Sequence, residues 1–382
     1  MSEGQKRVLI VSGEASGELY GALLAERLFD RYSDILIYGV GGERMRKAGV
    51  KLIGEITGAF GITETFSSLS RLQKNYDSII RCLDTEHPEV VVLIDFPDFN
   101  LKVARAAKER GLKVLYYVGP QVWAWRKKRI RTIVSLTDAI AVILPFEEEI
   151  YRKNGARCEF VGHPIMEEIL AVKGSRGFIR QSLGLRPDGE VLALLPGSRD
   201  SELKRLLPLY LEVVGELSRR YGSLQYILPL AVGIDRKAHR ALLGRLQDRG
   251  VRLVDGRSTE ALMAADYALI ASGTATLQAA LIGVPMVVVY KLFPLTYIIG
   301  RLVVNVKYIS LVNILYGGEI VKELIQWKAN KSNVLAELER LIREETVRRN
   351  MKKAFNEIRD IYYDKRPSER VAEMTGEIAG WQ

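Results

Sequence analysis

Residues 89–100 read Glu89-Val-Val-Val-Leu-Ile94-Asp95-Phe96-Pro97-Asp98-Phe99-Asn100. The run is apolar at every position from Val90 to Ile94, then ends in two carboxylates three residues apart and an Asn. A half-exposed strand alternates. A run without alternation is buried on both faces, as in a parallel sheet covered by helices. Short runs of the same kind occur at Arg7–Val11, Ile35–Val40, Lys113–Val118 and Ala139–Leu144, with helical patterns such as Ser16–Arg31 and Leu101–Arg110 between them. This βαβ series predicts a doubly wound α/β domain.

After Phe160-Val-Gly-His-Pro164 the pattern loosens across 167–188. It resumes at Val191–Leu195, Gln225–Leu228, Val251–Val254, Tyr267–Ile270 and Met286–Tyr290. A chain of 382 residues fits two domains. The division expected is 1–165 for an N-terminal α/β domain, 166–345 for a C-terminal α/β domain, and 346–382 for a helical tail. No strand run is visible from about 320 to 377. Two such domains predict a cleft between them, where strand C-termini meet and ligands bind.

Composition narrows the class. Hydrophobic residues make up 48%, enough for a real core, and exclude a disordered or collagenous chain. The two cysteines, Cys82 and Cys158, imply no disulfide framework and fit a reducing cytoplasm. The start runs straight into a strand and a glycine, without the long apolar region of a signal peptide. The most apolar stretch, 281–306, is broken by Pro285, Lys291, Pro294 and Arg301, so membrane contact should be peripheral. Lys and Arg number 56 against 46 Asp and Glu, a net charge of +10. The partner should therefore be anionic: nucleic acid, a phosphorylated substrate or a membrane surface. Residues 101–131 hold ten bases and one acid, a net of +9 in one window.

Several motifs lie where strands should end. Ser12-Gly13-Glu14-Ala15-Ser16-Gly17-Glu18 is neither a dinucleotide fingerprint nor a P-loop. Two readings stay open: a loop allowing close ligand approach at Gly13, Glu14, Ser16 and Gly17, or a tight turn with Ser16 as N-cap. Asp95, directly at a strand end, is the better candidate for a general base acting on a sugar hydroxyl. Asp98 or Asn100 is expected to cap the following helix. The D-x-x-D spacing has no His or Cys beside it, so no metal and no cofactor are expected. Trp123, Trp125 and Arg126 sit in a basic cluster that suits an anionic interface or an acceptor phosphate. A solvated helix start with core tryptophans is the plainer reading. Stacking on nucleic acid lacks a supporting signature. In the second half, Gly197, Ser198 and Arg199 form one strand-to-helix turn, and Ser272, Gly273, Thr274, Ala275 and Thr276 another. Together they suit a nucleotide diphosphate. His163 either faces the cleft or stabilises a turn. Asn313 either binds phosphate or a sugar hydroxyl, or is a turn residue.

These stretches together resemble the lipid-A-disaccharide synthase family, inverting glycosyltransferases of GT-B architecture. The resemblance rests on GEASGE at 13–18, GVGGERMRKAG at 39–49, LIDFPDFN at 93–100, YYVGPQVWAWRKKRI at 116–130, LPFE at 144–147, FVGHP at 160–164, LLPGSR at 194–199, ASGTATL at 271–277 and PMVVVY at 285–290. It covers essentially the whole chain. It implies transfer of 2,3-diacylglucosamine from UDP-2,3-diacylglucosamine to 2,3-diacylglucosamine 1-phosphate, giving the β-1,6 disaccharide 1-phosphate and UDP. It also implies Asp95 as general base, Arg199 and Asn313 as required polar groups, and the 271–276 loop beside UDP. The location implied is cytoplasmic, peripheral on the inner face of the bacterial inner membrane, with the tail returning to the first domain or swapping into a homodimer. A UDP-sugar epimerase and the peptidoglycan N-acetylglucosaminyl transferase are the alternative enzymes of the same architecture.

The chain departs from the family pattern at Glu18 (usually Asp), Gln278 (usually Glu) and Val312 (usually Pro). Gln278 is expected to reach ribose or uracil as a hydrogen-bonding group only. The family's membrane-touching segment corresponds to Phe60–Leu72, here diluted by Thr63, Thr65, Ser67, Ser68 and Ser70.

Overall fold

The computed structural model describes residues 5–55, 67–120, 129–293 and 307–381. The chain forms two compact units, Met1–Pro164 with Lys365–Gln382, and Ile165–Asp364.

The first unit holds a seven-stranded sheet in the order β3-β2-β1-β4-β5-β6-β7. Its strands are β1 (Lys6–Ser12), β2 (Ile35–Gly41), β3 (Lys51–Glu55), β4 (Val90–Ile94), β5 (Lys113–Tyr117), β6 (Ala139–Val142) and β7 (Cys158–Phe160). All pairings are parallel. Every side chain of β4 is fully buried, which explains its unbroken apolar run. The chain leaves β1 toward β2 and β3, then returns to the other side of β1 for β4. Ser12 consequently lies beside Ile94, and the switch in strand order falls between β1 and β4. At such a point successive connections leave toward opposite faces and open a crevice at the strands' carboxyl ends.

The second unit repeats the plan with β8 (Val191–Leu195), β9 (Gln225–Leu230), β10 (Val251–Asp255), β11 (Tyr267–Ala271), β12 (Met286–Tyr290) and β13 (Lys322–Ile325). The order is β10-β9-β8-β11-β12-β13, and the switch falls between β8 and β11, with Leu195 beside Ile270. Three strands escaped the sequence patterns: β3, β7 and β13. All are sheet edges, and β3 and β13 are only partly covered. The expectation of no strand after residue 320 is corrected by β13.

The tail also divides differently from the expected 346–382. The helix Glu345–Tyr362 belongs to the second unit and buries Met351, Phe355 and Ile358 there. Only the helix Pro367–Ala379 belongs to the first unit, packing on the helix Ala15–Arg31 with Val371 and Met374 buried. Arg370 holds it by a two-pronged contact to Glu159, at 2.7 and 2.8 Å. His163 is buried against Tyr20, ring to ring at 5.8 Å, and burial pushes its pKa down to about 3. It stays neutral. Among the described residues no helix is long and apolar enough to cross a membrane.

Candidate functional site

The loops that follow β1 and β4 flank the first switch point. Asp95 and Phe96 both adopt left-handed backbone conformations, φ 50° and 48°. For residues other than glycine this costs of order 1–3 kcal/mol each and persists only where neighbours enforce it. The enforcing contacts are visible. The Asp95 carbonyl accepts hydrogen bonds from Asn100 Nδ2 and from the Tyr116 hydroxyl, each at 2.7 Å. Asn100 Nδ2 also donates to the Ile94 carbonyl at 3.1 Å, and the Asp95 N–H donates to the Tyr117 carbonyl at 3.2 Å. Burial, followed by the nearby Asp95 charge, raises the Tyr116 pKa, so its hydroxyl remains a donor. The backbone is fixed and the Asp95 side chain stands half-buried at the end of β4.

The glycine loop packs on this turn. A Cβ on Gly13 would lie 2.3 Å from the Phe96 ring, and one on Gly17 only 3.3 Å from Ser12. Glycine at 13 is thus required by close packing. The helix begins at Ala15 with Glu14 at the N-cap position, so Ser16 lies inside the helix and is not the expected cap. The capping expectation for Asp98 and Asn100 is likewise corrected. The helix starts earlier, at Pro97, with Phe96 at the cap position. Asp98 sits in its first turn and pairs with Arg129. Asn100 is fully buried and serves the Asp95 turn. Glu18 accepts from the Arg44 N–H at 2.8 Å and packs against Gly42, where a Cβ would meet its carboxylate at 2.6 Å.

Trp123, Trp125 and Arg126 lie outside the described residues, as does most of Phe60–Leu72. The basic window is less charged in space than in sequence. Lys108 and Lys113 both approach Asp138, at 2.9 and 3.7 Å, and Arg110 meets Asp84 at 2.7 Å. With Asp98 against Arg129, these acids all come from outside 101–131.

In the second unit, Gly197–Arg199 follow β8 and Ser272–Thr276 follow β11, so the sheet brings the two turns to its switch point. They are not equivalent. The carboxylate of Glu202 accepts from the N–H groups of Ser198 and Arg199, at 3.0 and 3.3 Å. The backbone donors expected for phosphate at 198 and 199 already have an internal anion. Arg199 is half-buried, and its charge acts on Tyr290 together with those of Glu202 and Arg205. At the other turn, the helix Thr274–Ile282 opens after Gly273, and Thr276 Oγ1 donates to the Gly273 carbonyl at 2.8 Å. The N–H groups of Thr274 and Ala275, in its first turn, take no chain acceptor among the described residues. Ser272 Oγ donates to the Ile309 carbonyl at 2.9 Å, tying this turn to residues 307–310.

Two expected contacts differ. Gln278 is 3% exposed and donates to Thr259 Oγ1 at 2.7 Å, so it is a packing residue facing the helix Ser258–Ala264. Asn313 is fully buried, and its capacity is spent within the chain. Nδ2 donates to the Val321 carbonyl and Glu323, and Oδ1 accepts from Ile320 and Val321 N–H. It holds a turn. Glu323, which no pattern flagged, accepts from the N–H groups of Ile309 and Ser310, from Ser310 Oγ and from Asn313. Ser310 is the N-cap of the helix Leu311–Tyr316, and Val312 is buried there without a proline. Among the described residues no group of three His, Cys, Asp or Glu could hold a metal ion.

A family model described as lipid-A-disaccharide synthetase matches residues 8–374. The lipid-A-disaccharide synthase of Syntrophus aciditrophicus is 42% identical over 93% of each chain. That of Myxococcus xanthus is 38% identical over 97% of each. Among solved structures, the S. aureus MnaA–UDP complex superposes with a TM-score of 0.70 at 13% identity, covering 99% of this chain and 98% of that one. A putative UDP-N-acetylglucosamine 2-epimerase from Listeria monocytogenes gives 0.69 at 12%, over 96% and 95%. At such low identity these two structures share the fold and nothing more is carried over, whereas the family model and the two relatives settle the family. With its paired switch-point loops on two GT-B-like sheets, the chain belongs to the lipid-A-disaccharide synthase family of glycosyltransferases.

Proposed function

We propose that this chain transfers 2,3-diacylglucosamine from UDP-2,3-diacylglucosamine to the 6-hydroxyl of 2,3-diacylglucosamine 1-phosphate, releasing UDP. The observation that carries the mechanism is the Asp95 turn: a carboxylate held at a strand end by a doubly bonded, left-handed backbone. Asp95 takes the hydroxyl proton as the hydroxyl oxygen attacks C1 of the donor sugar. The C1–O bond to UDP breaks, and the electron pair leaves on the diphosphate. One displacement inverts the anomeric centre. Charge developing on the leaving diphosphate is met by the Arg199 guanidinium and by the N–H groups at 274–275. Arg199 supplies a full positive charge, so the step is written without a metal ion. Asn313 acts through Glu323 and Ser310, keeping residues 307–310 against Ser272.

The acceptor is a lipid, and the segments 56–66 and 121–128 carry the apolar and basic residues suited to an acidic membrane surface. Charge reversal at Arg126–Arg129 should weaken vesicle binding before it alters UDP affinity. The main test is incubation with both lipids and EDTA. UDP and disaccharide should appear in equal amounts. Asp95→Asn and Arg199→Ala should each lower turnover by at least a hundredfold in folded protein. Near-normal turnover of Asp95→Asn would overturn the base assignment, and strong inhibition by EDTA the metal-free step.

A further inference from the structure

At the end of the second sheet opposite the β8–β11 switch lies a cavity of about 550 Å³. It sits where β9 and β10 begin and where the helix Asp200–Arg220 ends. Cavities of this size take small molecules. Three guanidinium residues line it, Arg186, Arg249 and Arg252, and no Asp or Glu does. Their side chains bond to backbone carbonyls: Arg186 to Ser223 at 2.8 Å, Arg249 to Leu211 at 2.9 Å and Arg252 to Leu183 at 3.1 Å. Among the described residues none of the three pairs with a carboxylate. Elsewhere in this unit arginines do: Arg180 meets Asp266, and Arg220 meets Glu216 and Glu339. Each guanidinium offers five N–H donors, most of them unspent here.

The cavity also holds two buried hydroxyls. Tyr226 is 3% exposed, and neither its hydroxyl nor Ser218 Oγ makes a hydrogen bond of good geometry. The two lie close enough to influence each other. Even bonded together, such a pair keeps one O–H without an acceptor, which is costly in a buried site. Burial raises the Tyr226 pKa, so this hydroxyl is a donor at neutral pH. The lining is thus rich in donors and in positive charge. Opposing this, the C-termini of the helices Asp200–Arg220 and Arg240–Gln247 point this way, each worth roughly half a negative charge. Three full positive charges outweigh them.

We propose that this cavity binds a small phosphate-bearing anion, at a site separate from the UDP-sugar site on the same unit. Guanidinium forks suit phosphate oxygens, and the unpartnered O–H would donate to one. The test is calorimetric titration with pyrophosphate while UDP, its own binding measured first, saturates the donor site. One pyrophosphate should bind per chain under saturating UDP. Arg249→Gln with Arg252→Gln should weaken it at least tenfold, and Tyr226→Phe about threefold, with UDP affinity unchanged. Arg186 is exposed, so Arg186→Gln should fold normally and weaken binding several-fold even if the double variant does not fold. Complete displacement of pyrophosphate by UDP, or unchanged affinity in Arg186→Gln, would overturn the proposal.

Discussion

Tyr116→Phe and Asn100→Leu, alone and combined, test how the Asp95 carboxylate is held. Both donors serve one carbonyl, each at 2.7 Å. Removing the Tyr116 hydroxyl leaves Asn100 in place, and the loss should be about 1 kcal/mol, one hydrogen bond. Asn100→Leu also ends the bond to the Ile94 carbonyl and should cost about 2 kcal/mol. With both changes the Asp95 carbonyl loses its side-chain donors, adding about 1–2 kcal/mol beyond the sum. The strain of two left-handed residues then has less to oppose it, and the turn should relax. A shift of the carboxylate by about 1 Å is worth roughly a hundredfold in rate. Native-state hydrogen exchange of β4 and β5 amides reads the stability, and single-turnover UDP release reads the rate. The single variants should keep most activity and the double variant should lose about a hundredfold. Additive stability losses with turnover within threefold of normal in the double variant would refute the idea that these donors position Asp95.

Three further outcomes are expected. Gly13→Ala puts a Cβ 2.3 Å from the Phe96 ring, so it should cost about 1–3 kcal/mol and slow turnover; a melting curve and rate matching the parent would contradict this. Asn313→Ala strands the N–H groups of Ile320 and Val321, and a loss of about 3 kcal/mol should lower the second unit's Tm by roughly 6–12 °C. In acid, the helix Pro367–Ala379 should loosen. Arg370 first of all lowers the Glu159 pKa in the folded state, so the pair's stabilisation is present above the ordinary Glu value and is lost as pH falls through the lower folded one. Because Glu159 is about a third exposed, the effect is at most about 1 kcal/mol, and Arg370→Met should flatten it in hydrogen exchange between about pH 5 and 3.

The doubly wound architecture was legible because buried parallel strands leave an unbroken apolar run, as Val90–Ile94 and Val191–Leu195 do. The edge strands β3, β7 and β13 leave no such mark, because they are short and only partly buried and carry charged residues in their runs. Position at a strand end is legible too, because Asp95, Arg199 and Ser272–Thr276 each closely follow an apolar run. What single residues do at those ends is not. Asn313 and Gln278 are spent on internal bonds to residues outside their own motifs, Glu323 and Thr259. A local motif cannot display those partners. The +9 window is partly offset for the same reason: counting within 101–131 omits Asp84, Asp98 and Asp138, which folding brings to Arg110, Arg129 and Lys108.

Glu202 alters what the second switch point can do. Two helix ends with open donors would suit an anion equally well, and the sequence shows two such turns. The structure fills one. A carboxylate accepting from Ser198 and Arg199 neutralises that end and repels a diphosphate from its backbone. In the function proposed above, the anion would then be met by the Arg199 side chain and by the open first turn at 274–275, whose loop Ser272 ties to residues 307–310. Gly197 fits this arrangement, since its φ of 108° and the 2.1 Å gap between a would-be Cβ and Glu202 Oε2 admit no other residue. Glu202→Gln should therefore keep the turn, through its remaining carbonyl acceptor, while removing a negative charge beside the diphosphate. UDP should bind more tightly, severalfold at low salt and less at high salt. Weaker UDP binding in a folded Glu202→Gln protein would show instead that the carboxylate's charge orients Arg199, and that the pair works as one group.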